Sequence, residues 1–408
     1  TTAKVDDGVN TMAIFDLNDS STPGGFNVSG SPAVMKLYSF RMIDGGHVSR
    51  DFIPCLNEYG EPGLYEAVTG TFHGNSGNYP GVDFETNLQT TEATYTWTGR
   101  GASANWSDAG NWECSDEAAG GAPGWTSTAI IPSGTWTINI DRPVGVRSLD
   151  ISAADLALTL SSVTNRKLIV NSNIELHAGS SLCLSNNVGL CGCRTEDFTA
   201  DGAGCVIEVK NGSELVFDDI VIGGAGTRLV VDDGRVAATN EKGGLFLRTT
   251  GDAATDGLWV RGVHPVVSTA NSFRPDVVGA TMPLHFVVPV GGYAEAPIQS
   301  EGTDRCFSEW VHKEQAFASG PTIVYIDAKS PILKTQCSLD VPLVSFPNGN
   351  IAAEYTQFAS VPQRNPKRES FFYWTKNGDD YLRTTTDNQH TLNAHIEGRT
   401  SGLVIFFQ

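Results

Sequence analysis

The stretch GSELVFDDIVIGGAGTRLVVDDG, residues 212–234, decides the fold of this 408-residue chain. Glycine-containing polar turns in it are each followed by a short strand in which inward apolar residues alternate with outward polar ones. The turns at Gly212 and Gly234 lie 22 positions apart, a typical length for one coil of a solenoid. The stretch therefore predicts stacked parallel coils around an apolar interior.

The same pattern extends over residues 135–239, with short apolar strands at 167–170, 173–176 and 206–209. The longer interval between Gly179 and Gly212 holds four cysteines, and it predicts a Cys-rich loop over 183–205 that is pushed out of the coil. No apolar stripe of helical period lasts for ten residues. The predicted fold class is therefore all-β, with a short parallel β-solenoid (β-helix) at its centre.

Residues 36–77 combine short alternating strands with tight turns, such as Asp44-Gly45-Gly46, and this pattern is typical of antiparallel sheet. Leu37-Tyr38, the run RDFIPC at 50–55, Gly63-Leu64-Tyr65, and Phe72 with Asn75 and Gly77 resemble the last strands of bacterial laminin-G-like, concanavalin-type lectin domains. The resemblance implies a partial jelly roll over residues 1–88, whose front half is missing. That half was either removed by proteolysis or is supplied from elsewhere, such as by strands of a neighbouring subunit.

A tryptophan-rich block follows, with Trp97-Thr98-Gly99 and then NWSDAGNW at residues 105–112. It resembles the opening segment of bacterial surface β-solenoids, including those with autotransporter-associated strand repeats. The resemblance implies a Trp-capped solenoid over residues 95–265, in which indole rings cover the open end of the coils. The alternative is a sugar-stacking platform formed by Trp106, Trp112 and Trp125.

After Pro265 the strands become longer and more aromatic, and prolines separate them. This change predicts a separate C-terminal β-sandwich over residues 266–408. The apolar end of the chain, at Ile405-Phe406-Phe407, predicts a last strand buried in a sheet, because a dangling apolar tail would aggregate.

The formal net charge of −19 disfavours nucleic acids and anionic membranes as partners, since both are polyanions. No apolar run approaches the roughly 18 residues that span a bilayer, so no membrane insertion is expected. The polar, acidic first residues do not form a signal peptide, so the chain is expected to be mature or cut from a precursor.

An even count of eight cysteines in a chain of extracellular composition favours disulfides over zinc. The Cys191-Gly192-Cys193 spacing also departs from the zinc knuckle. Cys55 lies where the lectin-like family often carries a buried cysteine. The disulfide candidates are the other seven: Cys114, Cys183, Cys191, Cys193, Cys205, Cys306 and Cys337.

The sequence contains no G-x-S-x-G elbow, H-E-x-x-H helix or Walker A loop. Enzymes built on β-helices use clustered carboxylates, for which the available pairs are Asp218-Asp219 and Asp232-Asp233. The second pair also reads as an ordinary Asp-Gly turn.

A weak calcium site is predicted at Asp16, Asn18 and Asp19, whose oxygens are the kind of ligand that calcium prefers. The chain suggests no other cofactor. The scattered histidines, including His264 and His285, show no obvious catalytic partner.

Together these features predict an extracellular, cell-surface protein of bacterial type with a structural or adhesive role. Its partners would be copies of itself, in a fibre or surface layer built by strand exchange, or surface glycans. One alternative is a carbohydrate-binding protein, and a second is a β-helix enzyme that degrades polysaccharides.

Overall fold

The computed structural model describes residues 40–44, 47–56, 62–74, 93–116, 121–124, 127–193, 195–241, 243–274, 280, 282–289, 291–301, 322–328, 338–348, 356–358, 382–384 and 391–397. The chain divides into two compact units, one comprising Thr1–Asn57 and Pro62–Gly74, the other Glu58–Glu61 and Asn75–Gln408. Within the described ranges both units are built from β-strands, and the one helical element is a 3-10 turn at Ala109–Asn111. The predicted all-β class is confirmed.

The N-terminal unit contains a four-stranded antiparallel sheet in the order of the chain, as its turn pattern predicts. Pro54 lies inside the second strand and pairs with Leu64, although the sequence pattern places the end of the strand there. The ladder between the first and second strands ends at Phe52. Pro54 lies beyond that point, so its missing N–H costs no hydrogen bond to the first strand. The strands are β1 (Phe40–Asp44), β2 (His47–Leu56), β3 (Pro62–Glu66) and β4 (Thr71–Gly74).

The turn between β3 and β4 is organised by the carboxylate of Glu66. It accepts hydrogen bonds from the backbone N–H groups of Asp51, Val68 and Thr69, and from the Thr69 hydroxyl. The Thr69 hydroxyl contributes most to lowering the pKa of Glu66 to about 2, and the amides add to the effect. All these donors belong to the sheet itself, so Glu66 is a structural carboxylate.

The second unit carries the remaining strands, most of which are three to six residues long. They are β5 (Thr94–Trp97), β6 (Trp112–Cys114), β7 (Thr128–Ile130), β8 (Gly134–Asn139), β9 (Val144–Val146), β10 (Ser148–Asp150), β11 (Leu156–Ser161), β12 (Lys167–Val170), β13 (Ile174–Glu175), β14 (Ser181–Ser185), β15 (Gly189–Gly192), β16 (Phe198–Ala200), β17 (Val206–Lys210), β18 (Glu214–Phe217), β19 (Ile220–Gly223), β20 (Arg228–Asp232), β21 (Arg235–Ala238), β22 (Gly244–Arg248), β23 (Gly257–Arg261), β24 (Val266–Thr269), β25 (Ser272–Arg274), β26 (Met282–Val288), β27 (Ile298–Ser300), β28 (Thr322–Ala328), β29 (Ser338–Ser345), β30 (Thr356–Phe358), β31 (Leu382–Thr384) and β32 (Thr391–Glu397).

These strands wind into a parallel β-solenoid of about six turns, as predicted. Five successive coils, from β11 to β25, each add one strand to each of three sheets, and among the described strands the coils on either side extend only sheets 1 and 2. Sheet 1 has the order β8-β11-β14-β17-β20-β23-β26-β28-β30, sheet 2 has β9-β12-β15-β18-β21-β24-β27-β29, and sheet 3 has β13-β16-β19-β22-β25. Sheet 2 continues with β32 and β31, which are antiparallel to their neighbours.

Apolar side chains stack in columns inside the solenoid because the strands keep their alternation in register. In sheet 1 one column runs through Leu158, Leu182, Ile207, Leu229 and Leu258, and each is at most 1% exposed. Burying a side chain of this size stabilises a fold by about 1.5–3 kcal/mol, so the columns dominate the stability of the solenoid.

The predicted Cys-rich loop over 183–205 is wrong, because these residues form the regular strands β14, β15 and β16. Gly179 precedes a strand of sheet 1, whereas Gly212 precedes a strand of sheet 2. The two glycines therefore lie at different corners of the solenoid, and the interval between them is longer than one coil for this reason.

The parallel stacking also does not end at the predicted boundary near Pro265. Strand β23 pairs in parallel with β26, β26 with β28, and β27 with β29. Strands β26, β28 and β29, after the boundary, are seven or eight residues long, and prolines fit into two of them. Strand β26 includes Pro283, and β29 includes Pro342. A separate C-terminal sandwich stays a prediction for residues outside the described ranges.

Candidate functional site

The tryptophan block forms the N-terminal cap of the solenoid. Strands β5, β6, β7 and β10 make a small sheet, in which Trp97 and Trp106 pack edge-on against Trp112 at ring-centroid distances of 5.0 and 4.7 Å. Trp106 is fully buried, and Trp112 is 8% exposed. Neither ring presents a face to solvent, which corrects the stacking platform predicted for them. Trp125, the third member, lies outside the described residues.

Polar side chains between the tryptophans hold the cap together. The buried amide of Asn111 accepts from the Gly101 N–H and donates to the carbonyls of Ser103 and Asn105. Asp108 accepts from the Gly110 N–H and so caps the 3-10 turn. The N-W-x-x-x-x-N-W spacing is thus a folding motif of the cap.

An Asn/Asp ladder runs along the corner between sheets 2 and 3. The side chain of Asn173 accepts from the backbone N–H of Asp197, Asp197 accepts from Asp219, and Asp219 accepts from Gly244. Each acceptor serves the next coil at the same corner. The predicted catalytic candidate Asp219 is therefore committed to joining coils.

Asp218, which precedes Asp219 in the chain, lies near three other carboxylates, those of Asp219, Asp197 and Glu196. Burial first, and then these negative charges, raise the pKa of Asp218 to about 6. A carboxyl group of this kind holds a proton in mildly acidic solution. Within the described ranges no group of three or more His, Cys, Asp or Glu side chains could hold a metal ion.

We expect Asp218→Asn to stabilise the protein above pH 6 and to have little effect near pH 4. The folded-state pKa lies above the unfolded value of 3.8, so the favourable neutral form is lost as the pH rises through about 6. Solvent screens this half-buried group, leaving a gain of about 1 kcal/mol. Thermal midpoints at pH 4 and 7.5 measure it, with exposed Glu175→Gln as the control. Equal gains at both pH values would contradict the assignment.

The second predicted pair, Asp232-Asp233, lies at another corner, between sheets 1 and 2. Asp233 accepts from the backbone N–H groups of Val263 and His264 at 2.5 and 2.6 Å, and Asp232 pairs with Arg261 at 2.8 Å. The two predicted carboxylate pairs thus occupy different corners, and the fold does not bring them together. His264 contributes its backbone there.

No disulfide joins the described cysteines Cys114, Cys183, Cys191, Cys193 and Cys205 to one another. Cys183 lies on sheet 1 and Cys191 on sheet 2, so the winding separates residues that are close in sequence. Burial raises the pKa of Cys191 to about 12 and also raises that of Cys205, which makes both poor nucleophiles. The predicted disulfides are absent among these five. Cys306 and Cys337 lie outside the described residues, as does the calcium site predicted at Asp16, Asn18 and Asp19.

An aromatic stack on the outer face of sheet 1 was not predicted. The ring of His285 lies parallel to Trp259 at 4.0 Å and to Tyr325 at 4.4 Å, one ring per coil. His285 Nε2 lies 3.0 Å from the carbonyl oxygens of Ala253 and Asp256, so Nε2 carries the hydrogen. Burial lowers the pKa of His285 to about 4 and keeps the ring neutral. Aligning the strands GLWVR, MPLHFVV and TIVYIDA would have revealed the stack.

Ion pairs on sheets 2 and 3 reach across glycines to join alternate coils. Lys167 and Arg235 each lie 3.1 Å from Glu214, and Gly189 occupies the coil between Lys167 and Glu214. A Cβ on Gly189 would lie 2.9 Å from Lys167 Cγ, so the absence of a side chain opens the path. Gly223 stands in the same way between Asp201 and Arg248.

A groove on the outer face of sheet 2, called here the sheet-2 groove, is the candidate binding site. Its volume is about 320 Å³, and it lies over β21, β24, β27 and β29. The floor carries one residue per coil in register, namely Ala237, Ser268, Gln299 and Ser345. Arg235 lines the groove as well, beside Thr239 and Glu301. No single strand carries the groove, so the sequence pattern does not reveal it.

Comparison with protein-family models, with curated proteins and with solved structures finds no match for this chain. The laminin-G-like and surface-solenoid resemblances therefore rest on the motifs alone. No helix in the described part of the chain is long and apolar enough to cross a membrane.

Proposed function

We propose that this protein is an extracellular structural protein of the bacterial cell surface, which associates with copies of itself through its N-terminal sheet. The observation that carries the proposal is the distribution of exposed apolar side chains. Of the seven large apolar residues exposed in the described ranges, five belong to the N-terminal unit: Ile43, Val48, Ile53, Tyr65 and Val68. An exposed apolar cluster of this kind is typical of an interaction surface.

The pairing of the N-terminal sheet supports a mode of association. Strands β1 and β4 are the two edges of that sheet among the described strands, and edge strands pair readily with strands of another chain. Ile43 lies opposite Val48, and Ile53 lies opposite Tyr65, so the exposed residues form cross-strand pairs. Strand exchange or edge pairing between copies would cover them, as the laminin-G-like resemblance implies.

The outer surface of the solenoid supports a scaffold role. Its polar, charged and aromatic side chains contact the neighbouring coils, as in the Asn/Asp ladder, the ion pairs across glycine and the aromatic stack. A further ion pair reaches from Glu208 of β17 to Arg261 of β23 at 3.9 Å. Because these contacts run along the winding axis, they resist separation of the coils.

We expect the full chain to associate with rising concentration and Ile43→Lys with Ile53→Lys to weaken that association at least tenfold. A charge at each cross-strand pair cannot be buried in an apolar contact without a large desolvation cost. Sedimentation velocity measures the association constant, and negative-stain electron microscopy shows whether the wild-type assembly is a filament.

Val163→Lys is the matched control, since Val163 is 83% exposed on the solenoid and the change adds the same charge. We expect it to leave association unchanged. A wild-type chain that stays monomeric at every concentration, or a control that is as damaging as the double variant, would refute the proposal.

A further inference from the structure

The side chains on the outer face of sheet 2 change from apolar to small and polar along the solenoid axis. In the earlier coils one outward column carries Ile169, Cys191 and Val216, the last two being buried. The same column continues through Ala237 to Ser268 and then to residues of the last coils. The apolar ridge thus gives way to small and polar side chains, which leave the space of the sheet-2 groove.

The dimensions of the sheet-2 groove suit an extended chain molecule. Its floor, Ala237 to Ser345, covers three coil-to-coil steps of about 4.8 Å each, or about 14 Å in all. The volume of about 320 Å³ is at the lower end of the range for small-molecule sites. The backbone groups of the floor strands are already used in the sheet, so recognition must use side chains.

The chemistry of the lining selects against anionic ligands. Arg235 is already paired with Glu214 at 3.1 Å, and Glu301 adds a negative charge that repels polyanions. The polar groups of the groove floor are the hydroxyls of Ser268 and Ser345 and the amide of Gln299, which both donate and accept hydrogen bonds. The Gln299 Nε2 donates to the Ala296 carbonyl at 3.1 Å, which holds the amide in place.

We propose that the sheet-2 groove binds a neutral glycan strand lying along the solenoid axis. Hydroxyl and amide side chains at a regular spacing complement the hydroxyl groups of successive sugar residues. The described lining of the groove offers hydrogen bonds but no aromatic ring on which a sugar could stack, so one groove binds weakly. This inference goes beyond the proposed self-association and does not depend on it, because the groove lies within a single solenoid.

The test uses the full chain carrying Ile43→Lys and Ile53→Lys, so that self-association does not affect the measurement. Neutral glucan, mannan and galactan oligosaccharides and acidic polygalacturonate are titrated by calorimetry and by affinity electrophoresis. We expect at least one neutral glycan to bind, and Ser268→Phe, which fills the groove floor, to lower its association constant at least tenfold. Thr159→Phe adds the same bulk on the outer face of sheet 1 and should leave binding unchanged.

Gln299→Ala provides a second variant that removes hydrogen bonds without adding bulk, so the test stands even if Ser268→Phe does not fold. Loss of neutral-glycan binding in either folded groove variant, with binding kept in Thr159→Phe, supports the proposal. No binding of any neutral glycan, equal binding by the groove variants and the control, or a preference for polygalacturonate overturns it.

Discussion

Replacing Asn111 with leucine is expected to lower the free energy of unfolding of the solenoid cap by about 3–5 kcal/mol. Leucine keeps the size of the side chain but removes one acceptor and two donors, which leaves the Gly101 N–H and the Ser103 and Asn105 carbonyls without their partner. An unsatisfied buried polar group costs about 1–3 kcal/mol. Asn111 is 0% exposed, so water cannot replace the amide.

Chemical denaturation followed by tryptophan fluorescence measures the effect, because Trp106 and Trp112 report on the cap. The Trp112 indole donates to the Trp106 carbonyl at 2.8 Å, so the loss of the cap changes both environments. Glu113→Gln, an exposed change two residues away, is the control and should shift the midpoint very little. An Asn111→Leu midpoint equal to that of the control would show that the amide does not organise the cap.

The solenoid was predictable from the sequence because its coils repeat a local pattern. In the stretch 212–234 the alternation of apolar and polar residues identifies inward positions, and the structure buries Leu215 of sheet 2 and Leu229 of sheet 1 at such positions. The corner to which a glycine turn belongs is not a local property. The intervals starting at Gly179 and at Gly212 therefore look unequal in the sequence, although both residues sit in regular coils.

The roles of the carboxylates could not be predicted for a related reason. Asp219 and Asp233 are each followed closely by ordinary turn or strand residues, and their partners, Gly244 and Val263, lie a full coil later in the chain. Whether a carboxylate faces a substrate or a backbone N–H depends on that stacking. The sheet-2 groove has the same origin, since its floor combines residues from four coils.

The predicted boundary near Pro265 shows a further limit. Strand length and proline content do change there, and the sequence gives no other sign of whether the next strands stack on the coils or form a new sheet. In the structure the next strands stack on the coils, because β26 pairs in parallel with β23 and Leu284 lies directly beside Leu258. Leucine columns of this kind extend the apolar interior, and they can be recognised only once the coil length is known.

Replacing Gly244 with alanine is expected to be the most damaging change in sheet 3, with a loss of about 3 kcal/mol or more. Its φ of +151° lies in a region that L residues rarely adopt, and a Cβ there would lie 2.0 Å from the Ser272 carbonyl oxygen. The clash is with the backbone of the next coil, so no side-chain rotation relieves it. Gly244 also donates to Asp219 at 2.6 Å, so a shift would break the corner ladder.

Gly124→Ala is the matched control, because a Cβ at Gly124 meets no atom within 4 Å and its backbone is not in the positive-φ region. We expect the control to stay near the wild-type midpoint in chemical denaturation, while Gly244→Ala unfolds much earlier. Hydrogen exchange should then show lost protection in β22 and β25, the strands that meet at this position. If both alanine variants kept the wild-type midpoint, the close stacking of coils at the Asp219 corner would be wrong, and with it the assignment of Asp219 to the scaffold.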